Sequence, residues 1–257
     1  MESEYFSMDI TDEEIATITI DKPPVNALDS SNYVELYNIF YNLSENKKVK
    51  VVILTGSGEK FFVAGSDIKE FLHLNTRSGI SYTKKNQEVR EYIRKFNKPI
   101  ICAINGLANG GGLALALICD IRIASSKATF ALSEINFGIL GATQYITKMA
   151  HSGVSRKLIL SGESINAEDA RLSGLVDEIV LPENLMERTI SLARKIANKA
   201  PLALKYAKQC ILKSQETLID EGLKFEEETL EYLWGTEDKN EGVSAFLEKR
   251  KPVFKGK

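Results

Sequence analysis

Apolar and polar residues alternate over positions 14–21, EIATITID, and the alternation stops at Lys22-Pro23-Pro24, where prolines cannot donate to a strand ladder. This pattern predicts a strand closed by a turn. Residues 30–50, SSNYVELYNIFYNLSENKKVK, repeat their apolar positions at helical spacing, with Ser30 and Ser31 as candidate caps. The β-branched run VKVVILTGSG then ends at Gly56 and Gly58, as a buried strand does where it meets a loop. Strand, helix and strand in succession imply a right-handed crossover.

The cycle recurs. A loop at residues 64–67 leads into a charged helical stretch that ends near Phe96, followed by Pro99 and the apolar strand IICAI. Glycines 110–112 then open the Ala/Leu-rich segment LALALICD, and the strand IRIAS follows. Repeated crossovers predict an α/β fold with an at least partly parallel sheet, and they place ligand sites where strands run into loops and helix starts. Beyond residue 150 the elements read as nearly all helical, with Pro182 and Pro201 punctuating the helices. No linker composition and no fixed repeat interrupts this order.

Composition narrows the function classes. The 257 residues are 44% apolar and 26% charged, enough for a sizeable core, and the net charge of −2 draws in neither nucleic acid nor anionic lipid. The longest apolar run, residues 113–119, is far short of the roughly 20 residues that span a bilayer. The N-terminal MESEYFSMDI lacks a basic-then-apolar layout, so neither membrane insertion nor export is expected. Cys102, Cys119 and Cys210 are too few and scattered for a disulfide framework, which fits a cytoplasmic location. His73 and His151 have no paired ligand spacing, so no metal site is expected, and no GxSxG nucleophile turn occurs. Chemistry must therefore rest on carboxylates and backbone.

The stretch NGLANGGGLALA places Gly110, Gly111 and Gly112 just before a strong helix former. Glycine permits close approach to the main chain, and the first amides of a helix are unpaired at its positive end, which suits an anion or a developing oxyanion. A tight strand-to-helix turn would need the same glycines. The spacing matches neither a GxxxxGK[ST] phosphate loop nor a GxGxxG dinucleotide loop. A second loop, FFVAGSDIK, has the same character, with a helix beginning near Asp67. Two such loops can aim two N–H groups at one oxygen, as a thioester enolate requires, and one well-placed donor is worth about 3–4 kcal/mol.

The blocks PPVNAL, VVILTGSGEKFFVAGSDIKEF, KPIICAINGLANGGGLALALICDIRIAS, FALSEINFGIL, GESINAEDARLSGLVDEIV and EGVSAFLEKRKPVF stand in this order along the chain. Together they resemble the enoyl-CoA hydratase/isomerase (crotonase) family over almost the whole length. The resemblance implies a core of repeated ββα turns with a helical C-terminal extension. It divides the chain into residues 1–200 as the α/β core and 201–257 as a helical oligomerisation region, in a trimer or hexamer. Carried over by position, it assigns the oxyanion hole to the amides of Ser66 and Gly111. Ala64, Asp67, Ile68, Lys69 and Gly110 fall on the CoA path, and Glu134 on the catalytic carboxylate. The substrate would be an acyl-CoA thioester, with no cofactor beyond its coenzyme A.

Two departures matter. The position of the second hydratase glutamate is occupied by Ala114, whose methyl group cannot activate water, so the two-carboxylate route to hydration is half missing. The family's PGxGGTQ run is shortened to GILGATQ at 138–144, which reshapes the loop after Glu134. One carboxylate still suffices to move a double bond through a dienolate, so isomerisation is the leading expectation. A hydratase or lyase with an unusual acyl-CoA is the alternative. Glu70, His73, Asn109, Ser133 and Tyr145 are the nearby polar groups that could stand in for the missing one, though helix-face solvation, capping or packing accounts for each. From another class, the chain could be a catalytically reduced binder of CoA esters or of RNA, with Lys84, Lys85, Arg90, Arg94, Lys95 and Lys98 as a basic face. Glu88 and Glu91 interrupt that face, and nucleic acid is not expected. Lys249, Arg250, Lys251 and Lys255 are further cations that could meet CoA phosphates.

Overall fold

The computed structural model describes residues 3–257. An antiparallel pair, β1 (Phe6–Ile10) and β2 (Ile15–Ile20), leads into α1 (Ser30–Glu45) and β3 (Val51–Gly56). Next come β4 (Phe61–Val63), α2 (Ile68–Phe71), α3 (Thr76–Arg94), β5 (Ile100–Ile104), β6 (Leu107–Asn109) and α4 (Gly111–Leu117). Then follow β7 (Ile121–Ser125), β8 (Thr129–Ala131), a 3-10 turn at Ser133–Phe137, α5 (Thr143–Met149), α6 (Ser152–Ser161), β9 (Ile165–Asn166) and α7 (Ala167–Leu172). The chain closes with β10 (Glu178–Val180), α8 (Leu185–Ala197), α9 (Pro201–Ser214), α10 (Ile219–Trp234) and α11 (Glu237–Leu247).

Two sheets organise these elements. The larger runs β1-β2-β3-β5-β7-β10 and is parallel from β2 onward, while the smaller runs β4-β6-β8-β9. β3, β5 and β7 are each followed by a short strand in the second sheet and then by helix, so the repeat is ββα rather than a plain crossover. The short strands escape the apolar pattern because three residues, such as FFV, TFA or LAN, are too few to set a period. Past residue 150 the chain is not wholly helical, since β9 and β10 each complete a sheet edge.

Both faces of the large sheet are covered, which is why β3 and β5 read as unbroken apolar runs. Val52, Leu54, Ile100, Cys102 and Ile104 face the main core with Tyr33, Leu36 and Phe40 of α1. Val51, Ile53, Ile101, Ala103 and Ile123 face the other way, against Leu185, Ala193 and Ala197 of α8. The cap of α1 is Asp29, not Ser30 or Ser31. Its carboxylate accepts from Ser31 N at 2.9 Å and Asn32 N at 3.1 Å, and Asp29 N in turn donates to Asn32 Oδ1 at 3.1 Å. The C-terminal helices attach through Lys208 of α9, whose ammonium donates to Asp120 at 2.8 Å and to the Lys98 carbonyl at 3.2 Å.

Candidate active site

Three turns, each following a strand of the small sheet, meet at one point. The first carries Ser66. Leu28 N–H donates to Gly65 O and Asp67 N–H donates to Leu28 O, both at 3.0 Å, and this bridge leaves the Ser66 N–H outside it. Asp67 caps α2 by accepting from Lys69 N at 3.0 Å, so its carboxylate is already engaged. Ile68 and Lys69 are exposed on the outer rim.

The second turn carries the glycines. Gly110 has φ +53° and ψ −119°, which excludes a side chain, and its N–H is pinned to Ala131 O at 3.0 Å. A Cβ on Gly112 would lie 2.1 Å from Val63 O, so glycine is what lets α4 start against β4. Gly111 is the first residue of α4 and its N–H has no carbonyl within the helix. A Cβ built on it would be 3.6 Å from Ser66 N and 2.9 Å from both Ser66 Oγ and Tyr33 Oη, which places the two predicted amides side by side.

The third turn carries Glu134. Its Oε1 lies against two glycines, since a Cβ would come within 2.7 Å of it from Gly110 and 2.6 Å from Gly141. The shortened 138–144 loop therefore folds back so that Gly141 packs on the carboxyl. Asn109 braces all three turns. Its Nδ2 donates to Ala64 O at 3.0 Å and Ser133 Oγ at 2.8 Å, and its Oδ1 accepts from Ser133 N at 3.2 Å. Burial raises the pKa of Glu134 above the ordinary carboxylate range, against a smaller pull downward from its own turn and from Arg90.

Ala114, one turn into α4, is buried and brings no functional group. Of the other polar residues weighed from sequence, Glu70 accepts from Ser30 N at 3.1 Å and Ser30 Oγ at 3.2 Å, His73 is exposed, and Asn109 and Ser133 are committed to bracing. Tyr145 lines a cavity of about 860 Å³ that also touches Arg90, Leu117, Gly141 and Leu212. Three further polar groups crowd the site: Tyr33 and Tyr82, both with hydroxyl pKa raised by burial and both influenced by Ser66 and Arg90, and Arg90 itself. Sequence patterning gives no sign of the tyrosines, because Tyr33 on the buried stripe of α1 reads as core and Tyr82 sits in the charged helix α3. Arg90 reads as one of a basic row. That row does not form one face: Arg94 and Lys95 are paired with Glu91, and Lys98 donates to the Leu43 and Asn46 carbonyls. The C-terminal Arg250 is held by Glu241 and Glu248. Among the described residues no group of three His, Cys, Asp or Glu side chains could hold a metal, and no helix is long and apolar enough to cross a membrane.

Two turn amides and the carboxyl of Glu134 thus gather at a strand-to-helix corner. Comparison with known proteins gives the family. The family model for enoyl-CoA hydratase/isomerase matches residues 11–257. The chain is 39% identical over 93% of its length to the short-chain-enoyl-CoA hydratase of Clostridium acetobutylicum, covering 93% of that protein. Its structure superposes on an enoyl-CoA hydratase from Bacillus anthracis with a TM-score of 0.94 at 35% identity, over 99% of this chain and 100% of that one. Pseudomonas aeruginosa DspI gives a TM-score of 0.95 at 33% identity, over 99% and 98%. The chain belongs to the enoyl-CoA hydratase/isomerase family and has the crotonase fold.

Proposed function

We propose that this protein is an enoyl-CoA isomerase that moves a double bond with a single carboxylate. The observation that carries this is the pairing of Glu134 against Gly110 with Ala114 at the second carboxylate position. The Glu134 carboxylate takes a proton from C2 of a 3-enoyl thioester, and the electron pair moves through the carbonyl onto oxygen. The Ser66 and Gly111 N–H groups hold that oxyanion as part of a dienolate. Protonated Glu134 then returns the proton to C4, giving the 2-enoyl thioester with no net gain or loss of atoms. A carboxyl whose pKa lies above the usual range serves both halves, because its two protonation states are closer in energy near neutrality.

Coenzyme A enters as part of the substrate, with Ala64, Asp67, Ile68, Lys69 and Gly110 along its path. The exposed Lys69 offers a cation for a phosphate. Glu134→Gln removes the proton carrier but keeps the shape, so isomerisation of 3-hexenoyl-CoA followed by absorbance should fall about 100- to 10,000-fold. Equal rates for the variant and the native enzyme would refute the reading.

A second reading, hydration, is favoured by the names of the relatives, among them the Clostridium acetobutylicum hydratase. It would need the Tyr33 or Tyr82 hydroxyl to position the water in place of a second glutamate. The chain is further read as a trimer or hexamer of the cytoplasm. Its three free thiols suit a reducing compartment, and Leu218, Ile219, Trp234, Phe246 and Leu247 form exposed apolar ground in the 201–257 region.

A further inference from the structure

We infer that the acyl side of this site contains a subsite for a second carboxylate, anchored by Arg90, and that the substrate is the mono-CoA thioester of an unsaturated dicarboxylic acid. The inference rests on the acyl-thioester reading above. Five side-chain polar atoms among the described residues are buried without a hydrogen-bond partner, and four of them gather here: Tyr33 Oη, Tyr82 Oη, Arg90 Nε and Glu134 Oε2. Buried polar atoms are seldom left unpaired, and a cluster of them is the mark of a ligand's place. Arg90 lies with its guanidinium carbon 5.8 Å from the Tyr33 ring centroid and lines the cavity that reaches Gly141, the glycine packed on Glu134.

The other cations around that cavity are engaged. Arg94 is held by Glu91 and Glu216, Lys208 by Asp120, Arg122 by Asp177, and Lys148 donates to Gln215 O at 3.0 Å. Among the described residues Arg90 alone of these five has no hydrogen-bonded partner. It does not bond Glu134 either, because both Arg90 Nε and Glu134 Oε2 are unpaired, and this leaves the carboxylate free for proton transfer. The three unpaired groups besides Glu134 can all donate. An acceptor-only anion matches them, and a carboxylate matches the planar fork of a guanidinium in particular.

The test pairs binding with turnover. Calorimetry compares adipoyl-CoA with hexanoyl-CoA, which have no double bond to move, and kinetics compare 3-hexenedioyl-CoA with 3-hexenoyl-CoA. The native enzyme should favour the carboxylate-bearing member of each pair about 10- to 100-fold, the effect of one charge-assisted hydrogen-bonded pair. Arg90→Leu should abolish that preference and Arg90→Lys should retain part of it. If Arg90→Leu does not fold, the native ratio and Arg90→Lys decide the matter. An Arg90-dependent preference for adipoyl-CoA without turnover of either 3-enoyl thioester upholds the subsite and overturns isomerisation. Turnover of both thioesters with no preference for the diacid overturns the subsite and leaves isomerisation standing.

Discussion

Glu134 sits in a short turn, braced through Ser133 by Asn109 and closed over by Gly110 and Gly141, so its carboxyl has little water around it. Burial raises its folded pKa above the unfolded value. Between those two values the folded state binds more protons than the unfolded one, so this group makes stability fall as pH rises through that window. Glu134→Gln removes the penalty. Its melting temperature should exceed that of the native enzyme at neutral pH, and the difference should vanish below the ordinary carboxylate range, as calorimetric scans across pH would register. At this scale the sequence is informative where a glycine-rich block fixes a backbone position, as at Ser66 and Gly111, which the fold brings together. It is uninformative for Tyr33 of α1 and for Tyr82 and Arg90, two turns apart on α3, which meet only through folding. An arginine in a charged helix looks solvated until the helix is seen to turn it inward.

The C-terminal helices are tied to the α/β body by Lys208, a buried polar anchor. It ties α9 to Asp120, a carboxylate whose pKa burial raises even though Lys208, a backbone N–H and Arg122 favour its charge. Lys208→Met leaves that carboxylate without its partner and should cost about 3–5 kcal/mol in urea denaturation. Adding Asp120→Asn should restore part of the loss, because the uncompensated charge is then gone. The long strands were legible because burial on both faces leaves an unbroken apolar run. β1 is not legible, because its exposed pattern resembles a polar segment, and the three-residue strands of the small sheet are too short to show a period. The ββα repeat consequently followed from family resemblance and not from the pattern itself. Asp29, Ser30 and Ser31 are all good caps, so the pattern alone does not single out Asp29, whose carboxylate also accepts from Lys22 at 2.5 Å.

Across the whole molecule, two apolar clusters on either face of one sheet build the body, and α9–α11 leave large apolar side chains in the open. Phe246 is 83% exposed and Trp234 66%. If the 201–257 region joins subunits, light scattering behind size exclusion should give the mass of a trimer or hexamer. Phe246→Asp with Leu247→Asp should then shift it toward the monomer. Soluble monomer at micromolar concentration would show that this face serves something else. The proposed isomerase chemistry has one carboxylate beside two amides transfer a proton along an acyl chain more readily than it adds water. The direct measurement is the rate of 3-hexenoyl-CoA isomerisation beside that of crotonyl-CoA hydration on one preparation. Isomerisation should be faster by at least about 100-fold, the share of rate a missing acid–base group carries. Hydration as fast as isomerisation, or faster, would contradict it.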